Sequence, residues 1–171
     1  AMLSIVFWCP SLRPKCLQPL GELDRARSNI EDSGISNVEL LNPMQSPLPE
    51  DGSLDFVTTF DVVHDSTHPA ELIDAIRKSL KDDGTWLCAD IKGKSTFEEN
   101  LKGNPFAGMA YSFSVLVCMS AGLSTPDGAG LGTLGFHEQK ARQMSASAGF
   151  TRFSVVEYEA DQFNSFYEIR P

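Results

Sequence analysis

The sequence predicts a three-layer α/β domain built around a mostly parallel sheet, and three observations predict it. β-branched or aromatic runs alternate with stretches whose apolar residues recur at three- and four-residue spacing. Glycine-containing turns mark the changes of period, and the chain finishes with two strand-like runs in succession, a closing hairpin. The 171 residues fit one domain, 1–171, around one core. Hydrophobic residues make up 42% and charged residues 22%, a folding composition rather than a disordered one. Lys and Arg number 14 against 23 Asp and Glu, a net charge of -9, so no positive field exists to attract nucleic acid or anionic lipid.

Each element follows from local pattern. Residues 3–8 are an apolar strand without the basic flank that a signal peptide carries. Residues 22–33 place Leu23, Ala26 and Ile30 on one helical face, stop at Gly34 and lead into a strand over 37–41. The Asp51-Gly52 turn opens a buried strand over 54–60. Pro69 suits a first helical turn, Leu72, Ile73, Ile76 and Leu80 line its apolar face, and Asp82-Asp83-Gly84 ends the helix with Gly84 in the left-handed stop. Residues 85–91 are the next strand, which completes a strand-helix-strand unit. The stretch 103–126 has no charge and is long enough for a membrane span. Its Asn104, serines and glycines make it instead a buried helix, so no membrane is expected as a partner. A glycine-rich loop at 128–132, a helix over 137–148 stopped by Gly149, and strands over 152–158 and 165–170 complete the chain. The loop follows no strand and opens no Lys-Ser/Thr site, which argues against phosphate binding. Cysteines at 9, 16, 88 and 118 have neither CxxC pairing nor a His at zinc-ligand spacing. They read as reduced thiols of a cytoplasmic protein, with no metal expected.

Five stretches in order, Ala26-Arg27-Ser28-Asn29 to Gly34-Ile35-Ser36-Asn37-Val38-Glu39, Leu48-Pro49-Glu50-Asp51-Gly52-Ser53-Leu54-Asp55, Phe60-Asp61-Val62-Val63-His64-Asp65, Leu80-Lys81-Asp82-Asp83-Gly84-Thr85 and Ala148-Gly149-Phe150, resemble the class I S-adenosylmethionine-dependent methyltransferases. The segment 162–169 and the loop 130–133 resemble the subgroup whose longer members carry an N-terminal winged helix. The resemblance implies a Rossmann-like αβα sandwich with seven strands, the last antiparallel. It also implies a methyl donor over the carboxyl ends of the central strands and a small-molecule acceptor above it. Phe60, Asp61 and Val62 would meet the methionine part of S-adenosylmethionine through their backbone.

Against that pattern the N-terminal part departs. Residues 11–20 contain no glycine for the turn that normally follows the first strand, and the position of the ribose-binding acid falls near Leu17, which accepts no hydrogen bond. Met44 stands where relatives place an acid toward the adenine, with Gln45 as the substitute acceptor if the loop slips by one residue. Each lost hydrogen bond to a buried ligand group is worth about 0.5–3 kcal/mol. The expectation is therefore a fold truncated at its N-terminus, with residues 1–20 replacing the usual first cofactor-binding unit and cofactor binding impaired. The strand over 3–8 takes either the first or the second sheet position. An unfilled position would expose a strand edge, through which a homodimer could form.

Chemistry is expected at the end of the strand over 54–60. His64 titrates near neutrality and Asp65 is placed to orient it as a general base; the plainer alternative has Asp65 or Ser66 capping the next helix and His64 satisfying a carbonyl. In the substrate-side insertion, residues 100–133, Met109, Tyr111 and Phe113 supply aromatic and sulfur-bearing surface for an apolar acceptor, with core packing as the alternative. His137 begins a helix and is a further candidate acceptor contact. The leading expectation is a small-molecule methyltransferase domain; its rival is a noncatalytic remnant acting through protein contacts or dimerisation. A nicotinamide-dependent dehydrogenase would need the same missing glycine fingerprint.

Overall fold

The computed structural model describes the backbone of residues 4–8, 15–17, 20–42 and 45–171, and side chains from residue 23 onward except at 43 and 44. The strands are β1 (Ser4–Trp8), β2 (Lys15–Leu17), β3 (Glu39–Leu41), β4 (Leu54–Phe60), β5 (Leu80–Ile91), β6 (Arg152–Val156) and β7 (Asn164–Arg170). The helices are α1 (Leu20–Asp32), α2 (Pro69–Ser79), α3 (Phe97–Gly103), α4 (Ala107–Phe113), a π-helical turn (Ser114–Cys118), α5 (Met119–Gly122) and α6 (Glu138–Ser147). The described strands make one seven-stranded sheet, ordered β3-β2-β1-β4-β5-β7-β6. The α/β class and the Rossmann-like sheet are those the sequence predicts.

Strand direction carries the main departure. β2, β3, β4, β5 and β6 run one way, and β7 opposes them as expected, but β1 also runs backward, antiparallel to both β2 and β4. Residues 4–8 thus hold the first sheet position, beside β4. Ser4 lies opposite Phe60 and Trp8 opposite Phe56, so the chain leaves β1 at the end of the sheet away from the carboxyl terminus of β4. β2 then returns toward that rim, where Leu17 ends level with Leu41. Because β1 covers the edge of β4, the expected dimerisation loses its premise at that edge.

The core sits where α2 and α6 meet one face of β4, β5 and β7. Val57 and Thr59 of β4 pair with Trp86 and Cys88 of β5, which pair in turn with Ile169 and Tyr167 of β7, a buried row across three strands. Ile73 and Ile76 of α2, Ala141 of α6, Phe136 and Phe150 close over it. Burying such side chains contributes about 1.5–3 kcal/mol each for the larger ones. The Trp86 indole donates to Thr59 Oγ1 at 3.0 Å, so the one polar atom of this large side chain is satisfied inside the core.

Several element boundaries differ from expectation. α2 stops at Ser79, because Leu80 turns extended and pairs with Leu54. Gly84 lies within β5 and is absent from the glycines with positive φ; a Cβ there would lie 3.0 Å from Leu80 Cδ2 and 3.1 Å from Leu54 O, so close packing rather than a left-handed stop calls for glycine. The helical stops at Gly34 (φ 67) and Gly149 (φ 87) are as expected. β3 begins at Glu39 rather than 37, and β6 ends at Val156 rather than 158.

The uncharged stretch is helical but not buried. Ala107, Ala110, Ser114, Cys118 and Gly122 face inward, while Met109, Phe113, Val115, Leu116, Val117 and Leu123 are exposed, Leu116 at 76%. Small residues at three- and four-residue spacing take the inward positions, where Ser114, Cys118 and Gly122 meet the loop over 130–133, and the large apolar side chains are left exposed. Among the described residues no helix is long and apolar enough to cross a membrane.

Candidate functional site

The carboxyl ends of β4 and β5 bring together the candidate catalytic groups. Directly after β4, Asp61 adopts φ 53, a left-handed conformation uncommon for a non-glycine residue, and its N–H donates to Ala89 O on β5 at 3.0 Å. This turn sends the chain inward, so that Val62, Val63, His64 and Asp65 are all buried. The β5 row Trp86–Cys88 continues to Asp90, fully buried at the same rim.

His64 is clasped by carboxylates. Its Nδ1 lies 2.6 Å from Asp90 Oδ1, which also accepts the Ile91 N–H at 2.9 Å. Its Nε2 lies 3.2 Å from Asp65 Oδ1 and 3.6 Å from Cys118 Sγ. Burial works against a charged ring, but the interactions with Asp65 and Asp90 outweigh it and push the His64 pKa up to about 11. Burial raises Asp65, yet the His64 contact prevails and holds it below the usual carboxylate range. Asp61 moves the other way, raised by burial first and then by the neighbouring Asp90 charge. Both ring nitrogens of His64 are thus engaged by carboxylates, which favours the protonated imidazole.

The π-helical turn completes the cluster. Ser114 and Cys118, four residues apart, both point inward; Thr133 donates its hydroxyl to Cys118 Sγ at 2.9 Å and its N–H to Ser114 Oγ at 3.2 Å. π-helical turns recur at functional sites because the widened turn re-aims side chains. Above the cluster opens a cavity of about 580 Å³, lined by Asp61, His64, Cys118 and Thr133 below and by Ile91, Phe106, Met109, Phe113, Val117, Leu134 and Phe163 around the sides. Phe106 and Phe163 pack at 4.6 Å between ring centroids, and Lys92, Lys94 and Asn104 also contribute to the wall. The size and apolar walls suit a small molecule, with few polar groups to orient it.

The expected site residues divide. Asp61, His64, Met109 and Phe113 come together at this cavity, and Asp65 lies in contact with His64. Neither capping alternative holds: His68 is the N-cap of α2, and His64 meets carboxylates rather than a carbonyl. Phe60 and Val62 flank Asp61 but are not in the cavity wall, and Gln45 is exposed in the turn after β3. Met44 lies outside the described residues. Tyr111 turns away to stack on Phe97 and accept from Asn100 Nδ2 at 3.2 Å. His137 caps α6, its Nδ1 accepting the Lys140 N–H at 3.4 Å, and lines a separate polar cleft. The sequence reading missed Asp90, Thr133 and Phe163. An acid ending a central strand was a usable signal for Asp90, since open α/β sheets bind ligands at that rim; Thr133 and Phe163 lie in the two segments that carry the subgroup resemblance, 130–133 and 162–169, but no residue pattern there singled them out as site residues.

Comparison with known proteins fits this geometry. Residues 20–88 match the family profile described as a methyltransferase domain. Among curated proteins no sequence matches the chain. Among solved structures, the chain resembles the mitomycin 7-O-methyltransferase (17% identity, TM-score 0.64, 94% of this chain and 42% of that one). It also resembles an O-methyltransferase family protein from Burkholderia thailandensis (15%, TM-score 0.63, 91% and 43%). A third is an O-methyltransferase of neocarzinostatin biosynthesis, solved with S-adenosylhomocysteine and 1,4-dihydroxy-2-naphthoic acid (16%, TM-score 0.60, 90% and 40%). The chain thus spans less than half the length of these structures. The match over residues 20–88 and the likeness to these structures show that the chain has the fold these methyltransferases share.

Proposed function

We propose that the chain is a methyltransferase domain acting on a small molecule with S-adenosylmethionine as cofactor, and that this chain alone holds the nucleoside half of the cofactor weakly. The reading draws on relatives solved with S-adenosylmethionine or its demethylated product. It also draws on a local test of fit. Asp61 Oδ1 is buried at the cavity without a hydrogen-bond partner, an acceptor suited to the ammonium of a methionine moiety. The nucleoside end fits poorly. A leucine, with no acceptor, ends β2 at the rim, and Gln45 is exposed.

The observation that carries the weakened hold is the direction of β1. A turn after a parallel first strand would present backbone N–H groups beside Asp61. Here β1 starts at that rim, with Ser4 opposite Phe60, and ends at the other. When bound, the cofactor supplies a methyl group on a sulfonium. The side chains described here position rather than activate: Asp61 anchors, the apolar wall excludes water, and the clasped His64 holds one cation beneath the acceptor.

Losing two or three hydrogen bonds at about 0.5–3 kcal/mol each moves a micromolar ligand, near -8 kcal/mol, toward a millimolar one, near -4 kcal/mol. Calorimetric titration of the chain with S-adenosylmethionine and S-adenosylhomocysteine tests this. Saturable binding in the high-micromolar to millimolar range is the expected result, and low-micromolar affinity refutes the weakened hold. No heat and no amide perturbation at Asp61 at millimolar ligand would favour the rival, a remnant acting through protein contacts. That rival draws on the exposed Phe113, Val115 and Leu116.

A further inference from the structure

We propose that His64 Nε2, the Asp65 carboxylate and Cys118 Sγ form a three-ligand site for a zinc-class divalent cation, open to the cavity at its fourth position and braced by Asp90. The three ligand atoms lie within 4.8 Å of one another. Bonds of about 2.0–2.3 Å to a tetrahedral zinc set N···O and N···S edges of about 3.3–3.6 Å. The two measured edges from Nε2 are 3.2 Å to Asp65 Oδ1 and 3.6 Å to Cys118 Sγ. The other ring nitrogen shows a different geometry. At 2.6 Å from Asp90 Oδ1, Nδ1 is too near to share an ion and makes a hydrogen bond instead, as metal-bound histidines do to an outer carboxylate.

A second observation points the same way. Asp90 Oδ2 is buried without a hydrogen-bond partner, and Asp65, a side chain with no exposure, meets His64 and the Cys118 thiol, the two groups that would share the ion with it. Asp61, Asp65 and Asp90 place three carboxylates around a single imidazole, a buried set of oxygen and nitrogen donors at the end of the cavity. Cys118 is buried, and Thr133 donates its hydroxyl to the sulfur, which fixes the side chain toward His64. His64 and Cys118 both line the cavity, so a water or an acceptor heteroatom there can take the remaining position. On binding, the ion displaces one proton from Nε2 and one from the thiol. A hydroxyl coordinated at the open position would lose its proton far more readily than in water. That consequence rests on the proposed methyl transfer; the site itself does not.

The test needs neither cofactor nor acceptor, so it can fail independently of the methyltransferase reading. The chelator-treated chain is titrated with Co²⁺, followed by the near-ultraviolet thiolate-to-metal band, then competed with Zn²⁺. One ion per chain with a thiolate band is expected, with the band lost in Cys118→Ser. Affinity should fall about 10–100-fold in Asp90→Asn and stay unchanged in His137→Ala, which lies in the separate cleft. Thermal melting of each metal-free variant checks folding. Should Cys118→Ser not fold, the wild-type spectrum still decides. Absence of Co²⁺ binding, Co²⁺ bound without a thiolate band, or a folded Cys118→Ser chain retaining the wild-type band and affinity would each overturn the proposal.

Discussion

Replacing Asp90 by asparagine probes the clasp on His64 while keeping an acceptor opposite Nδ1. In the metal-free protein the His64 pKa is pushed from 6.5 up to about 11. At about 1.36 kcal/mol per pH unit, this amounts to about 6 kcal/mol for the whole clasp, Asp65 and Asp90 together. The amide oxygen introduced by Asp90→Asn can still accept from Nδ1 and from the Ile91 N–H, so the substitution removes the charge of one partner only. A loss of about 1.5–3 kcal/mol at pH 6.5 follows. The sign is set by linkage. A pKa raised on folding gives stability that is complete below 6.5 and is lost as pH rises through about 11. The variant, with a lower His64 pKa, stops losing this contribution sooner, so the gap to wild type narrows as pH climbs toward 11. Urea unfolding of chelator-treated protein between pH 6 and 10 measures the gap, and ¹⁵N shifts of the His64 ring report its protonation. A wild-type ring that titrates near 6.5, or equal stabilities across the range, would refute the clasp.

Substitutions at three further positions test the frame around the site. Thr59→Val removes the acceptor of the Trp86 indole while keeping volume, and should cost about 1–3 kcal/mol in urea unfolding; Thr59→Ser should restore most of it. Gly149→Ala and Gly132→Ala share positive φ, 87 and 72, but a Cβ at 149 meets nothing within 4 Å, whereas one at 132 falls on Ser114 Oγ with Met119 Sδ at 3.1 Å. Stability measured by thermal melting should therefore fall by the conformational cost alone, about 1–2 kcal/mol, at 149, and by distinctly more at 132. Equal losses at the two positions would contradict the packing at Ser114.

Much of the frame was legible because local pattern and tertiary role coincide. The β4–α2–β5 unit carries its period switches in consecutive residues, and the stops of α1 and α6 are glycines with positive φ. The rim after β4 could be chosen as the place for chemistry because open sheets expose their strand ends there. The direction of β1 was not legible, since an apolar run reads the same from either end; only pairing with Thr58 and Thr59 tells which way it lies. Nor was the clasp, because His64 and Asp90 are 26 residues apart and nothing near either announces the other. The exposed face of α4, the π-helical turn and α5 was missed for a related reason: an uncharged stretch is assumed to be inside, but its small residues took the inward positions.

The direction in which the core rows become polar explains why the site lies where it does. Along β4 and into the turn, Val57 and Thr59 lead to Asp61; along β5, Trp86 and Cys88 lead to Asp90. Each row therefore passes from apolar to acidic as it nears the rim. A core optimised only for stability would continue these rows with aliphatic residues. It would not hold Asp61 at φ 53, a conformation costing about 1–3 kcal/mol, nor place three carboxylates against one imidazole. Departures of this kind are tolerated only where the rest of the fold over-determines the geometry, and here the Trp86–Tyr167–Ile73 core lies directly beneath. The same reasoning separates this cluster from the cleft lined by Lys94, Glu99, His137 and Arg142. There the charges are solvated, His137 only caps a helix, and none of the lining residues has a strained backbone. The concentration of buried charge and backbone strain at the ends of β4 and β5 thus singles out that rim as the candidate site, independently of any resemblance to other proteins.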